Sequence, residues 1–555
     1  MLPTAERDTN VPNFAPPHLT GFILGAAGAS ARFVAAPRGG GGAPAVRDWA
    51  ADAPALPAAR HRSGPGRRTP TASGRAPGGS GNGGGSGSSG WLRGGSASWV
   101  AFRAGLGGVG MGIGAGGMFC GPAKADLLRL FPFPGRRRKA TKKDGQKTVL
   151  IMMSNTGGGH KASAEALQQA FQEEYGDDYK VVIVDMWKEH TPAPFNNLCD
   201  SYSFLVRHGV LWRLTYNVMN PRLIHRPYFA AIQAVVSRQL SAAFDAYDPD
   251  LVVSVHPLMQ HIPVRVLAAR AKAKGGAPPP FATVVTDFTT CHNTWFYPKV
   301  TRCFVPTDYC KALALAMGVP ESKVITHGLP IRPVFCKRLP SKAALRNKLG
   351  LLKGVPAVLL VGGGEGMGAI AATVRELDGQ LRGGAQVAVI CGRNKKLLRQ
   401  LAEAQWPGGS HVVPVGFVDN MHEWMGAVDV IITKAGPGTI AEALISGLPI
   451  LLNGNVPCQE EGNIPYVVDN GVGAFETDPP RIAAIIAGWL DPANADAFRE
   501  MGRRSKALGR PRAVYNIARD LAALVQGAAA LAAEEAAAAC CKGGRGAAGA
   551  LVAAA

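Results

Sequence analysis

The sequence predicts an α/β protein built from two doubly wound parallel sheets, preceded by a disordered leader. From about residue 147, short apolar runs of strand length alternate with helix-forming stretches, and the alternation occurs in two successive series. The runs are continuously hydrophobic, which is typical of strands whose two faces are both covered by crossover helices. A break near 330–345 separates the two series. We therefore expect two Rossmann-like domains joined at that point.

Each series supplies five candidate strands. Those of the first series are TVLIMMS, KVVIVDMW, DLVVSVH, FATVVTDF and TRCFVPT, and the series ends with HGLPIRPVF. Those of the second series are AVLLVGG, QVAVICG, HVVPVGF, DVIITKAG and PILLNG. The predicted domains are 147–335 and 345–525, followed by an Ala-rich tail over 526–555.

The leader, 1–140, is rich in Gly, Ala, Ser, Pro and Arg and has too few large apolar groups to form a core. It holds 17 Lys and Arg against 5 Asp and Glu, which accounts for +12 of the formal net charge of +21. Such a composition fits an organellar transit peptide, and an undirected disordered segment is the alternative. The remaining charge is spread thinly over the rest of the chain, so no nucleic-acid partner is expected. No later apolar run has the length of a membrane span.

A glycine-rich loop follows the first strand of each series. The first loop is TGGGH, 156–160, and the second is VGGGEGMG, 361–368. A tight turn between strand and helix would explain either loop alone. Two loops at corresponding places in tandem domains indicate a cleft into which backbone N–H groups and helix N-termini project.

The second series contains a further candidate phosphate turn in KAGPGTIAEAL. Gly436, Pro437 and Gly438 permit close approach of a ligand, and Thr439 is expected to cap the following helix. Free N–H groups at that helix start would attract a diphosphate. Glu442 lies one turn further on and could bind a ribose, or could simply balance the helix dipole.

Polar side chains crowd the segment NVPCQEEGN that follows the last apolar run. They are Gln459, Glu460, Glu461 and Asn463. Amides and carboxylates match the hydroxyl groups of a sugar, although a solvated helix start would have a similar composition.

Four motifs in this order are similar to those of one family. TGGGHKASAEAL, TDFTTCHNTWF, KAGPGTIAEAL and QEEGN together resemble the monogalactosyldiacylglycerol synthases of plastids. These are GT-B glycosyltransferases related to the bacterial enzyme that adds N-acetylglucosamine to a peptidoglycan lipid. The resemblance covers about 147–525.

The resemblance implies transfer of galactose from UDP-galactose to diacylglycerol with inversion at the anomeric carbon. The second domain would hold the donor and the first domain the lipid acceptor, with Gly158 and Gly159 on the acceptor side. Glu442 would bind the ribose, and Gln459 and Glu460 would bind galactose, with Glu461 and Asn463 nearby. The remaining donor residues implied by the resemblance are Gly363, Gly364, Glu365, Val418 beside the uracil, Gly436, Gly438 and Thr439.

An inverting displacement requires a base for the proton of the acceptor hydroxyl. A neutral imidazole suits that task, and His160 lies where the first glycine loop should meet the cleft. A helix-start histidine bonded to a phosphate or carbonyl is the alternative. Asp287 is the next candidate, either as the base or as the residue that orients His160, and His292 follows it.

No metal or other cofactor is expected. GT-B enzymes usually balance the charge of the leaving group with helix dipoles and basic side chains, and the chain has no paired-aspartate motif at a strand end. Lys434 and Arg393 are the candidate counter-charges, although Lys434 could equally be a solvated cation.

The stretch 189–229 mixes aromatic and basic side chains. Such a mixture suits a surface at the headgroup level of an anionic bilayer, and a helix pair packed on the sheet is the alternative. The predicted lipid contacts are Trp212 and, from the resemblance, Pro194 and Trp295. The predicted partners are thus diacylglycerol and anionic lipids at the plastid envelope, where the chain would be a peripheral protein, with a homodimer as one option.

Three other functions compete with this interpretation. The fold could serve a glucosyltransferase that uses diacylglycerol, or another transferase with a lipid acceptor. A dinucleotide-dependent oxidoreductase would use an acidic residue such as Asp185 after the first glycine loop, but it gives no role to His160 or to AGPGTIAEA. An inactive lipid-binding scaffold is disfavoured because the donor and acceptor motifs are both intact.

Overall fold

The computed structural model describes residues 143, 145–154, 158–363 and 368–530, apart from the side chains of 198 and 199. The predicted leader, 1–140, and the tail beyond 530 lie outside the described residues. So do Gly364 and Glu365 of the second glycine loop.

The first sheet has six parallel strands in the order β2-β1-β3-β4-β5-β6. They are β1 (Lys147–Met153), β2 (Tyr179–Asp185), β3 (Leu251–Ser254), β4 (Phe281–Val284), β5 (Arg302–Val305) and β6 (Val324–Thr326). The five predicted runs all form strands, and β6 adds a sixth. Side chains of β1 enter two different cores, Leu150 and Met152 on one face and Val149 and Ile151 on the other. This two-sided burial explains the continuous hydrophobicity of the run.

Seven helices of the first domain connect or cover these strands. They are α1 (Gly158–Tyr175), α2 (Met186–His190), α3 (Leu198–Arg207), α4 (Gly209–Met219), α5 (Arg222–Tyr247), α6 (His261–Lys274) and α7 (Asp308–Ala316). The connection between β2 and β3 is much longer than a single crossover helix and contains α2 to α5. It includes the stretch whose aromatic and basic composition differs from its neighbours.

The second sheet also has six parallel strands, in the order β12-β11-β10-β7-β8-β9. They are β7 (Ala357–Val361), β8 (Gln386–Ile390), β9 (His411–Val415), β10 (Val430–Thr433), β11 (Ile450–Leu452) and β12 (Gly473–Phe475). The strand order reverses between β7 and β10. This position is the one at which doubly wound sheets bind ligands beyond the carboxyl ends of their strands.

Eight helices cover the second sheet. They are α8 (Lys342–Lys348), α9 (Ile370–Leu381), α10 (Lys395–Ala402), α11 (Met421–Ala427), α12 (Pro437–Ser446), α13 (Asn463–Asp469), α14 (Pro479–Leu490) and α15 (Ala495–Leu508). Two apolar cores lie on opposite faces of the sheet, with Leu359 in one and Leu360 in the other. The two Rossmann-like domains of the predicted GT-B class are therefore present.

The last helical segment, α16 (513–530), corrects one predicted domain boundary. Its apolar face packs on the first sheet, where Val514, Ile517 and Leu521 share a core with Val149 and Ile151. The range 345–525 therefore does not end within the second domain. The sequence could not show this, because helical periodicity does not say which sheet a helix covers.

The chain also crosses between the domains earlier than predicted. Leu329 and Ile331, assigned to the first domain by the boundary at 335, belong to a core of the second. The outgoing segment at Gly328 and the returning segment at Arg510 lie side by side. A Cβ atom at Gly328, where φ is +112°, would lie only 2.7 Å from the Cβ atom of Arg510. Only glycine fits this crossing.

Within the described part of the chain, no helix combines the length and the hydrophobicity needed to cross a bilayer.

Candidate active site

His160 lies at the start of α1, just beyond the carboxyl end of β1. Its side chain is buried, and its Nδ1 atom is 2.8 Å from the hydroxyl oxygen of Thr286. The Thr286 hydroxyl in turn donates to the carbonyl oxygen of Val255, at 3.4 Å. When the Thr286 hydroxyl donates to Val255, Nδ1 carries the proton and donates to Thr286. The Nε2 atom is then the nitrogen that can accept a proton.

Burial lowers the pKa of His160 to about 4, and the carbonyl of Val255 opposes that shift. Desolvation has this effect because the charged imidazolium loses its hydration inside the protein. The ring lies 4.7 Å from the ring of His256 and 6.1 Å from that of Trp295, measured between centroids. The imidazole is thus neutral at physiological pH and available as a proton acceptor.

Asp287 follows β4 and is also buried. Its Oδ2 atom accepts a hydrogen bond from Nε1 of Trp295 at 2.6 Å, and the carboxyl group also bonds the side chain of Gln459. Burial raises its pKa to about 6, although both hydrogen bonds oppose the rise. The prediction that Asp287 orients His160 is wrong, because Thr286 bonds the imidazole and Asp287 bonds Trp295 and Gln459.

His292, the third candidate for the base, forms hydrogen bonds within the first domain through both ring nitrogens. Its Nδ1 atom bonds the hydroxyl of Thr294 at 2.8 Å, and its Nε2 atom lies 3.2 Å from the carbonyl oxygen of Tyr216. Both ring nitrogens are engaged in holding the turn after β4 against α4.

The predicted phosphate turn lies at the carboxyl end of β10, beside the reversal of strand order. Gly436 is the N-cap residue of α12 and Pro437 its first residue. Thr439 is therefore inside the first turn of the helix, and the prediction that it caps the helix is wrong. The backbone N–H groups of Gly438 and Thr439 belong to the first turn, which has no intrahelical acceptors for them.

Glu442 lies in the second turn of α12 and pairs with Arg332, whose guanidinium is 3.1 Å from its Oε1 atom. Arg332 also donates to the carbonyl oxygen of Asp419 at 2.9 Å. Burial raises the pKa of Glu442, and the Arg332 guanidinium opposes that rise. Arg332 therefore holds the carboxylate that was predicted to bind the ribose. Spacing does not predict this pair, because its two members are 110 residues apart in sequence.

The segment Val456–Asn463 after β11, here called the sugar loop, contains the four polar side chains singled out above. Glu460 is buried, pairs with Lys434, and accepts a hydrogen bond from the backbone N–H of Val456 at 2.8 Å. Lys434 is therefore a paired residue and not a solvated cation. Asn463 is buried and donates to the carbonyl oxygen of Ala435.

The sugar loop contacts the first domain through a second set of hydrogen bonds. Asn463 accepts from the hydroxyl of Thr289 at 2.6 Å, and the hydroxyl of Thr290 accepts from the backbone N–H of Gly462 at 2.9 Å. With the bond between Gln459 and Asp287, these contacts join the carboxyl edge of the first sheet to that of the second. The residues predicted for the acceptor and donor sides therefore face each other.

The other predicted donor residues also lie at the carboxyl edge of the second sheet. Gly363 has a φ of +69°, and a Cβ atom there would lie 3.8 Å from Cε of Lys434. The guanidinium of Arg393 lies over the ring of Phe417, 5.0 Å from its centroid. Phe417 precedes Val418, the predicted uracil neighbour, so this contact places Arg393 on the uracil side of the predicted donor site.

One predicted lipid contact, Trp295, is wrong, and a second, Trp212, stays a prediction but also contacts the second domain. Trp295 is completely buried and donates to Asp287, so it does not reach a membrane. Trp212 is half-buried, and its Nε1 atom donates to the carbonyl oxygen of Pro457 in the second domain, at 3.0 Å. Pro194 is exposed and remains a predicted lipid contact.

The surface of α3, α4 and the start of α5 is apolar, which is unusual for an exposed surface. Val210 is 84% exposed, Leu214 61% and Leu223 89%. The stretch 204–228 contains eight of the thirteen exposed large hydrophobic side chains among the described residues, namely Phe204, Val210, Leu211, Leu214, Val218, Leu223, Ile224 and Tyr228. We call these eight side chains the apolar face. Arg207 and Arg226 are exposed beside them.

Comparisons with known proteins give the family. Residues 160–331 match the model described as monogalactosyldiacylglycerol (MGDG) synthase, and 357–463 match the glycosyltransferase family 28 C-terminal domain. A probable MGDG synthase of Nicotiana tabacum is 50% identical over 391 residues, covering 68% of this chain and 71% of the relative. MGDG synthase 1 of Arabidopsis thaliana is 48% identical over 392 residues, covering 69% of this chain and 72% of the relative. The chain belongs to the MGDG synthase family.

Among solved structures, MurG of Acinetobacter baumannii aligns with 68% of this chain and 99% of its own, at 15% identity and a TM-score of 0.43.

In this member of the MGDG synthase family, sequence reasoning missed several residues that shape the site. Thr286 lies in the motif TDFTTCHNTWF, and its hydroxyl oxygen is 2.8 Å from Nδ1 of His160. The others contact the sugar loop or Glu442 from a distance in sequence, namely Tyr202, Thr289, Thr290 and Arg332. Only the proximity of the folded domains identifies them.

Proposed function

We propose that this chain transfers galactose from UDP-galactose to the free hydroxyl of 1,2-diacylglycerol and forms monogalactosyldiacylglycerol. The first support is membership of the MGDG synthase family, through relatives about 50% identical over most of their length. The observation that carries the proposal is the contact between the sugar loop of the second domain and Asp287 of the first. This contact supports the proposal because it brings Gln459, a sugar-binding candidate, to the edge of the first sheet that also carries His160.

The reaction is a single inverting displacement. The acceptor oxygen forms a bond to the anomeric carbon while the bond from that carbon to the diphosphate oxygen breaks, and UDP leaves with the electron pair. The hydroxyl proton moves to Nε2 of His160 and then to solvent. The hydrogen bond from Nδ1 to Thr286 supports this role because it leaves Nε2 as the accepting atom.

UDP leaves with negative charge on the diphosphate. The first turn of α12 supplies unpaired N–H groups and the positive end of a helix dipole. The ammonium of Lys434 lies close to the same turn, since a Cβ atom at Gly436 would be 3.3 Å from its Nζ. These groups support donor binding without a metal, so we expect turnover to persist in the presence of EDTA.

Donor recognition is assigned as follows. Glu442 binds the ribose, the backbone near Val418 contacts the uracil, and Gln459 and Glu460 bind galactose. The pair with Arg332 supports the first assignment, because the guanidinium opposes the rise that burial causes in the pKa of Glu442 and favours the carboxylate form, which accepts hydrogen bonds from hydroxyls.

The apolar face binds the membrane that contains the acceptor. Its side chains project from α3 and α4, which have 10 and 11 residues, and from the start of α5, which is not apolar enough to cross a bilayer. This is the geometry of an interfacial anchor. Arg207 and Arg226 beside it favour anionic lipids. The relatives are named as chloroplastic proteins, and we place this chain at the plastid envelope as a peripheral protein.

A two-donor assay tests the reaction. Purified protein is mixed with vesicles containing diacylglycerol and with UDP-galactose or UDP-glucose, and NMR identifies the anomer of the product. We expect β-galactosyl diacylglycerol. Substantially faster transfer of glucose would favour the diacylglycerol glucosyltransferase instead.

Vesicle sedimentation tests the membrane surface. The double substitution Val210→Glu with Leu214→Glu should weaken binding at least about tenfold, because two charges would enter the interface. Leu352→Glu is the matched control, since Leu352 is similarly apolar and 46% exposed but belongs to the second domain. Equal binding by both variants would contradict the assignment of this surface.

A further inference from the structure

Helices α3 and α4 have two different faces. One bears part of the apolar face, with Phe204, Val210 and Leu214 exposed. The other carries Tyr202 and Trp212, whose rings meet edge to face with centroids 5.2 Å apart. Both of these side chains contact the second domain.

The contacts of this inner aromatic pair converge on the sugar loop. The hydroxyl of Tyr202 donates to Oε1 of Gln459 at 3.0 Å. The indole Nε1 of Trp212 donates to the carbonyl oxygen of Pro457 at 3.0 Å. Pro457 and Gln459 flank Cys458, which has a φ of +64°, so this part of the loop holds a conformation that a non-glycine residue adopts only under constraint.

The contact with Tyr202 decides how the Gln459 amide is oriented. Burial raises the pKa of the Tyr202 phenol, which therefore stays protonated and donates its hydrogen. The Oε1 atom of Gln459 is the acceptor, so the amide nitrogen is left to donate to the Asp287 carboxyl group, the other partner of this side chain. One amide N–H and one oxygen lone pair remain for a ligand.

We propose that Tyr202 and Trp212 are positioning residues, which hold the Gln459 amide and its loop in the orientation that receives the sugar of the donor. The helices that contact the lipid surface thereby complete the donor site of the other domain. This inference rests on the proposed function, because it takes Gln459 as a ligand of the donor sugar.

A purely structural contact would have a different signature. If Tyr202 only joined the domains, its loss would lower thermal stability and leave the relative affinities for UDP and UDP-galactose unchanged. If Tyr202 acts through Gln459, its loss should affect the sugar moiety selectively. The ratio of the two dissociation constants isolates the sugar, because both ligands share the nucleotide.

Tyr202→Phe removes only the hydroxyl. Isothermal titration without lipid should show an unchanged Kd for UDP and a preference for UDP-galactose over UDP that falls about 3- to 15-fold, as expected for one hydrogen bond. The kcat with diacylglycerol vesicles should fall by a similar factor. Tyr247→Phe is the matched control, since it removes a hydroxyl that bonds His190 at the same 3.0 Å distance but at the far end of α5.

A double-mutant cycle tests the route through Gln459. In a Gln459→Ala background, Tyr202→Phe should cause no further loss, because the residue it orients is absent. Trp212→Phe should reduce the same preference for UDP-galactose while leaving vesicle binding intact.

The outcomes separate the two proposals. If the wild-type protein binds UDP-galactose and makes the galactolipid, but Tyr202→Phe behaves like Tyr247→Phe or adds fully to Gln459→Ala, the positioning role is refuted. If the wild-type protein fails to bind UDP-galactose or to transfer galactose, the proposed function itself is refuted, and the inference with it.

Discussion

Substitution of His160 by Ala is the most direct test of the chemistry. Its imidazole is buried at the start of α1, and its loss leaves the donor residues of the second domain in place. We expect UDP to bind with unchanged affinity while kcat falls roughly 10²- to 10⁴-fold, the usual effect of removing a general base.

The pKa values of the two candidate bases predict different pH profiles. A base must be deprotonated, so activity is lost as the pH falls through its pKa. With a pKa of about 4 for His160, about 90% of the plateau value of kcat/KM should remain at pH 5. With a pKa of about 6 for Asp287, only about 10% should remain. The activities that the two assignments predict at pH 5 thus differ about tenfold.

The assay measures initial rates on diacylglycerol vesicles from pH 4.5 to 8 at subsaturating UDP-galactose. This range contains the midpoint of the acidic limb expected for Asp287 and lies above the midpoint expected for His160. Circular dichroism at each pH confirms that the protein remains folded. Asp287→Asn is the companion variant, because an amide can keep the contact with Trp295. Near-normal turnover of His160→Ala, together with a limb near pH 6 that disappears in Asp287→Asn, would refute our assignment and transfer the role to Asp287.

Three further outcomes follow from contacts described above. Glu442→Ala should raise the Kd for UDP roughly 10- to 100-fold by titration calorimetry, since a charged hydrogen-bonding partner is lost, and an unchanged Kd would exclude ribose binding. Gly462→Ala would place a Cβ atom 2.0 Å from the hydroxyl oxygen of Thr290. Because this clash should push the two domains apart, kcat should drop at least about tenfold. Gly454→Ala is the control and should be active, since a Cβ atom there has nothing within 4 Å. Ile517→Ala should lower the free energy of unfolding by about 2–5 kcal/mol in urea titrations, and a smaller loss would contradict the packing of α16 on the first sheet.

Much of the site could be predicted because parallel strands all end at one edge of their sheet. His160 follows β1 and Asp287 follows β4, so their placement at one edge needed only the recognition of those strands. Glu442 and Gln459 follow β10 and β11 for the same reason. Spacing along the sequence is enough to predict such a site where the fold brings the carboxyl ends of the strands together.

The errors concern side chains whose role depends on their tertiary partners. A tryptophan beside basic residues looks the same in sequence whether or not its indole N–H bonds a carbonyl oxygen, so the contact of Trp212 with Pro457 could not be predicted. Trp295 ends the short 3-10 helix Asn293–Trp295, and only the structure shows that it is buried against Asp287. Thr286 was missed because a threonine between Val285 and Asp287 does not show in the sequence that its hydroxyl contacts the ring of His160.

The two segments that join the domains run side by side, at Gly328 and Arg510. A body attached at two neighbouring points can turn about the line through them but can neither slide nor swivel freely. This arrangement favours opening of the cleft by rotation about that line, with the largest displacement on the side remote from it. We therefore expect UDP to leave and UDP-galactose to enter on that remote side, while the two domains keep their alignment along the line.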